Sequence, residues 1–218
     1  MLTVKNLTGF YGRNVILNNI NFSVDNNEIV SIVGKNGSGK TTLIRYISTM
    51  MLPKKGNINL NGIEYNKKNL KYLRENISIL IDGEQSLYSN LTVKQNIKYC
   101  VKIFNINYNE LNVKIKCLMD KLCITQYQDT VVSKLSKGNR QKVSILISII
   151  KKSKILILDE PDNALDRDSI IILEELLKEE KKYRSIVLIS HDSYLVENIS
   201  DKVIYISDGN IEENTNNG

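Results

Sequence analysis

The stretch "GKNGSGKT", Gly34 to Thr41, constrains this chain more than any other; it lies between the apolar run "EIVSIV" and the helix-forming run "TLIRYISTMML". Its pattern is G-x-x-x-x-G-K-[ST]. The glycines let the backbone curl until successive N–H groups converge on a phosphate chain at a helix N-terminus. Lys40 carries a positive charge to the β- and γ-phosphates, and the Thr41 hydroxyl suits Mg²⁺, a hard cation that takes oxygen ligands. At average residue frequencies the four fixed positions arise by chance in about 1% of chains of this length, so a merely flexible turn is rejected.

A loop of this kind needs a parallel sheet behind it, and the chain is long enough to supply one. Its 218 residues, 42% hydrophobic and 25% charged, fit one large α/β domain with a core that needs no disulfide support. The richest apolar run, "VSILISII" (Val143 to Ile150), is far shorter than a membrane span. The N-terminus lacks a basic segment followed by an apolar one, so no secretory signal is expected. Cys100, Cys117 and Cys123 are odd in number and form no C-x-x-C pair; they are expected as reduced, partly buried thiols of a cytosolic protein. The net charge of +6 is scattered among acids, which describes a solvated surface and not a nucleic-acid patch.

Along the chain, "LTVKNLT" and "VILNNINFSV" read as strands, followed by the turn "DNN" and the buried strand "EIVSIVG". The helix after the phosphate loop is expected to run on to Pro53 and Gly56. "GNINLNG" is a short strand ending at the Asn61-Gly62 turn pair. From about residue 92 to 150, apolar residues recur at helical spacing and strands disappear. Then "KILILDE" is a buried strand, "DRDSIIILEELLKEEKKY" a helix, and "SIVLIS" and "DKVIYIS" further strands. "NIEENTNNG" is expected as a frayed polar tail. The expected organisation is one domain over 1–218. Residues 1–91 and 151–213 form its core, about 92–150 a helical insertion, and 214–218 a polar tail.

Three further clusters carry chemistry. "ILILDEP" ends a buried strand on two acids: Asp159 is placed to hold the metal through water, and Glu160 to orient or deprotonate an attacking water. His191, the only histidine, follows another buried strand in "VLISHD" and is expected to contact the γ-phosphate. "LSKGNRQKV" places Ser136 and Gly138 before a helical run whose N-terminal amides attract an anion; alone, that pattern is equally a simple helix cap.

In this order the motifs resemble the nucleotide-binding subunit of ABC transporters over nearly the whole chain. The resemblance implies an α/β fold, that of a P-loop NTPase. Its ABC-type nucleotide-binding domain has a RecA/F1-like parallel-sheet core, an antiparallel β subdomain and a helical subdomain. It implies ATP and Mg²⁺ as cofactors, with ATP hydrolysis as the activity. Gly34, Lys35, Asn36, Gly37, Ser38, Gly39, Lys40, Thr41 and Thr42 are then the phosphate-binding segment, and Lys40, Glu160 and His191 the catalytic groups. Tyr11 of "FYGRN" is the aromatic that stacks on adenine, with Phe10 as the alternative. Ser136 and Gly138 form the signature loop that reaches ATP on the opposite subunit, and Asp166 of "NALD" the loop crossing the dimer interface. A second copy or homologous subunit is therefore implied, together with a multi-span permease and a location on the cytoplasmic face of a bacterial membrane; no nucleic-acid partner is expected.

In the stretch "ISILIDGEQSLY" the family carries a glutamine that reaches Mg²⁺ and water. This chain has Asp82 at that place and Gln85 three residues later. Asp82 is the expected metal and catalytic contact, with Gln85 as the alternative. "LIDG" and "LSKG" both resemble bacterial drug, antibiotic-peptide and lantibiotic exporters. Tyr88 and Leu91 are candidates for docking the permease, or equally for buried packing. The rival readings are a non-transport ABC ATPase, in iron–sulfur assembly or in nucleic-acid or translation work, and a P-loop kinase or nucleotide switch.

Overall fold

The structure, a computed structural model, describes residues 1–81 and 87–212. Strands β1 (Leu2–Tyr11) and β2 (Asn14–Val24) form a hairpin, followed by β3 (Ile29–Val33) and helix α1 (Lys40–Ile47). Next come β4 (Lys55–Leu60), β5 (Ile63–Glu64), α2 (Leu70–Asn76) and β6 (Ile77–Leu80). Helices α3 (Val93–Ile103), α4 (Tyr108–Lys121) and α5 (Lys137–Ile150) then succeed one another. The chain closes with β7 (Ile155–Asp159), α6 (Arg167–Lys181), β8 (Ser185–Ile189), α7 (Ser193–Ile199), β9 (Lys202–Ser207) and β10 (Asn210–Glu212).

Two sheets result. The order β2-β1-β4-β5 is antiparallel throughout, and β10-β9-β3-β8-β7-β6 is parallel except at β10. A parallel strand covered on both faces must be apolar on both, which is why "ILIL" and "SIVLI" show no alternation. Leu156, Leu158, Ile186 and Leu188 point into a core shared with α3 to α7. Ile155, Ile157, Val187 and Ile189 point the other way, into a core shared with α1 and the antiparallel sheet.

The strand order matters for chemistry. β8 lies between β3 and β7, and all three run parallel, so the segments that follow them emerge side by side at one edge. That carboxyl edge is where open α/β sheets bind ligands.

Four local expectations are corrected. Asn210–Glu212 is strand β10 and not tail, because the Asp208-Gly209 pair, at φ 47° and 75°, turns the chain back so that Ile211 pairs with Ile206. Helix α1 stops at Ile47, well before Pro53, since Thr49 takes a left-handed φ of 66°. Helices α2 and α7 were not expected at all; each is only 7 residues long, too short for periodicity to show. Of the three thiols only Cys100 is partly buried, which raises its pKa; Cys117 and Cys123 are exposed.

Candidate active site

The phosphate loop is built around what its glycines permit. A Cβ on Gly34 would lie 2.2 Å from the Ile206 carbonyl oxygen, so β9 leaves no room for a side chain. Gly39, at φ 109°, precedes α1 and provides no side-chain cap. The first-turn amides of α1 therefore have no capping acceptor from the chain at that position, which is the condition for anion binding at a helix N-terminus. The Ser38 Oγ is buried without a hydrogen-bond partner, another polar group suited to an incoming oxygen. The Lys40 ammonium folds back across the loop, donating to Gly34 O at 2.6 Å and Lys35 O at 3.0 Å. Burial lowers its pKa, an effect opposed by the nearby carboxylates of Glu160 and Asp159. The β9–β10 turn supports the loop from behind, with the Gly209 amide donating to Ser38 O at 3.1 Å.

Across the same edge, β7 ends at Asp159 and hands on to Glu160. Glu160 is left-handed, at φ 48°, a conformation that costs a non-glycine residue about 1–3 kcal/mol and persists where surrounding contacts impose it. Its amide donates to Ile189 O of β8 at 2.9 Å. Its Oε1 lies 3.3 Å from His191 Nε2, both side chains being about half exposed. Three strand ends thus bring Lys40, His191 and Glu160 to one edge, and Asp159 lies close enough to act on the Lys40 charge.

The remaining candidates are distributed differently. Ser136 caps α5, its Oγ accepting from the Asn139 amide at 3.2 Å. Asp166 caps α6, accepting from the Ser169 amide at 2.9 Å; hydrogen bonds from Ser169 hold its carboxyl below the usual range. A Cβ on Gly138 would lie 2.7 Å from Ala164 O, so the start of α5 abuts the segment that follows Glu160. Tyr11, at the end of β1, is 63% exposed, whereas Phe10 is half-buried and its amide donates to the Tyr46 hydroxyl of α1 at 3.0 Å. Lys35, Asn36, Gly37 and Thr41 are exposed on the loop and first turn, and Thr42 is half-buried. Asp82 and Gln85 lie outside the described residues. Tyr88 is half exposed, its ring packed edge-to-face on that of Tyr99 with centroids 4.7 Å apart, and Leu91 is partly buried.

No sequence motif singled out Gln141, Asn96 or Asp162, yet each is built into this region. Gln141 is buried on α5 and donates to backbone carbonyls at Glu160 and Pro161. Its signal in the sequence is weak, because it shares the buried stripe of α5 with two other polar residues, Ser144 and Ser148. Asn96 is wholly buried and binds the backbone of Tyr88, Leu91 and Thr92.

The donor set fits a metal-bound nucleotide. Mg²⁺ takes few protein ligands and keeps water and phosphate oxygens. One hydroxyl, Thr41, and one carboxylate, Asp159, suffice beside an uncapped helix and an unpartnered Ser38 oxygen. Fold and site together define a phosphate-loop nucleoside triphosphatase.

Within that class the chain belongs to the ABC transporter family, whose model, described as "ABC transporter", matches residues 17–163. It is an ATP-binding, ATP-hydrolysing subunit of that family. The chain is 32% identical over 193 residues to the ABC transporter ATP-binding protein NatA of Bacillus subtilis, covering 88% of this chain and 78% of that protein. It is 31% identical over 212 residues to the lantibiotic transport ATP-binding protein SrtF of Streptococcus pyogenes, covering 97% of this chain and 89% of that protein. A solved structure described as the ATP-binding subunit of an ABC transporter superposes with a TM-score of 0.90 at 27% identity, covering 98% of this chain and 88% of that one. The expected family and fold are thereby established.

Proposed function

We propose that the chain dimerises around two ATP molecules on the cytoplasmic face of a bacterial membrane and drives a separate permease that exports a drug, peptide or lantibiotic-like substrate. The hydrolytic part rests on one observation: Glu160 and His191 stand 3.3 Å apart at the sheet edge that carries the phosphate loop. Water attacks the γ-phosphorus, a new O–P bond forms, and the bond to the β-phosphate oxygen breaks. Glu160 orients that water and accepts its proton, while His191 faces the same carboxylate and the γ-phosphate. Lys40, released from its loop carbonyls, and the amides of the loop and α1 stabilise the charge that develops. Thr41 and Asp159, with Asp82 in the undescribed segment, would hold Mg²⁺, which would supply charge neutralisation at the phosphates. Tyr11, the more exposed of the two aromatics, stacks on the base.

Ser136 at the cap of α5, Gly138 in its first turn and Asp166 at the cap of α6 serve the partner subunit's nucleotide. No described helix is long and apolar enough to cross a membrane, and the motion is passed to the permease. The half-exposed Tyr88–Tyr99 pair beside α3 offers a docking surface for it. Export is favoured by "LSKG" and "LIDG" and by the similarity to SrtF.

Affinity purification of the tagged chain from detergent-solubilised membranes tests the proposal. A multi-span protein should co-purify, and the ATPase rate of the complex should rise with cationic amphipathic peptide. Recovery of the chain from the soluble fraction, with no membrane protein attached, would point to a non-transport ATPase and sink the proposal.

A further inference from the structure

We infer that Gln141 is a positioning residue for Glu160, making the signature helix α5 the part of the same subunit that sets the catalytic carboxylate. The inference rests on the role of Glu160 proposed above. Gln141 lies on α5, 4% exposed, and its Nε2 donates to Glu160 O at 3.1 Å and to Pro161 O at 3.0 Å. One amide group thus spends its donors on two successive carbonyls, which fixes the orientation of the peptide leaving Glu160.

The peptide entering Glu160 is fixed separately, by its amide on Ile189 O at 2.9 Å. Between these clamps Glu160 is held at φ 48°, a region a glutamate leaves when nothing imposes it. Backbone dihedrals set where the Cα–Cβ bond points. Losing either clamp lets Glu160 relax towards φ below zero and swings its carboxylate away from His191. A second contact runs in parallel. Gly138 is three residues before Gln141, on the same helix face, and packs its bare Cα against the carbonyl of Ala164, itself at φ 63°. Helix α5 therefore touches the Glu160–Ala164 turn at both ends, and any shift of that helix moves Glu160 without passing through a partner subunit.

The test uses the full chain at a concentration where the wild type turns over ATP. Gln141→Leu and Gln141→Glu both remove the donors at nearly constant volume. Each should lower kcat about 10²-fold, the scale of a misplaced catalytic group. Affinity for a fluorescent ATP analogue should stay unchanged, and neither variant should slow the residual turnover of Glu160→Gln any further. If Gln141→Leu does not fold, Gln141→Asn, which keeps the amide one methylene shorter, should give an intermediate kcat. Wild-type kcat in the folded Gln141 variants, with Glu160→Gln inactive, overturns the inference. So does a joint loss of kcat and ATP affinity, or a loss additive with Glu160→Gln, either of which describes a merely structural residue. Wild-type hydrolysis by Glu160→Gln alone overturns the role of Glu160 instead, whatever the Gln141 variants do.

Discussion

Asp162, two residues beyond Glu160, shows how a single residue is priced by its surroundings. Burial raises its carboxyl pKa above the usual range; a Ser190 hydrogen bond opposes this, and the charges of Asp192 and Glu160 add to it. One oxygen, Oδ1, is buried without a partner. The folded protein therefore holds this proton to higher pH than the unfolded chain does. Stability contributed here must fall as pH rises from about 4, the ordinary Asp value, to the raised folded value. Asp162→Asn should remove that loss. In thermal melts from acid to neutral pH, the variant should gain on the wild type as pH rises through this window and keep the advantage at pH 7. A difference that stays constant with pH would contradict this. The acids at the end of "ILILDE" were legible because two carboxylates directly after four apolar residues have few other uses. The left-handed φ of Glu160 and its approach to His191 were not, because both depend on residues far away in the chain.

Among the elements, α3 is the one whose start is most strongly specified. Thr92 and Gln95 form a reciprocal cap at 3.2 and 2.9 Å, visible in the sequence as T-x-x-Q before an apolar run. Asn96, the next residue, was invisible, since an asparagine in a helix usually faces water. Here its side chain accepts from the Tyr88 amide at 2.8 Å and donates to the carbonyls of Tyr88, Leu91 and Thr92. It ties down the segment leading from the sheet edge into the helices. Asn96→Leu would leave the Tyr88 amide without its acceptor, at about 1–3 kcal/mol, while the carbonyls of Tyr88, Leu91 and Thr92 keep the backbone amides of Leu91, Val132 and Asn96. Denaturant unfolding should show a loss of about 1–3 kcal/mol, and no measurable loss would show that the segment is held by other means. Strand β10 was missed although its turn pair, Asp-Gly, stood in plain view. A short strand at the edge of a sheet carries too few residues for alternation to register.

On the scale of the whole molecule, the opposite edge of the sheet is locked by a buried ion pair. Arg184 precedes β8, its side chain is 3% exposed, and it meets Glu180 of α6 at 2.5 Å. It also donates to the carbonyls of Ile149 and Lys151, where α5 ends and the chain approaches β7. Breaking a buried pair by removing one partner costs about 3–5 kcal/mol, a large share of the stability of any domain. Arg184→Met should lower the unfolding free energy from denaturant titration by that amount, and Arg184→Met with Glu180→Leu should recover part of it. Equal losses in the single and double variants would show that the carbonyl contacts, and not the charge pair, hold the edge.

The sequence by itself determined the phosphate loop, the two acids, the lone histidine, the run of helices between β6 and β7, and the family. Each of these is written in adjacent residues: local turn chemistry, a buried strand's uninterrupted apolar run, or helical spacing. Only the tertiary structure decided that β8 lies between β3 and β7. That order brings Lys40, His191 and Glu160 to one edge. It also decided that Gln141 clamps the Glu160 turn and that Arg184 is buried. Strand order and long-range hydrogen bonds follow from packing two apolar cores against opposite faces of one sheet, a condition on the whole chain that no short stretch encodes.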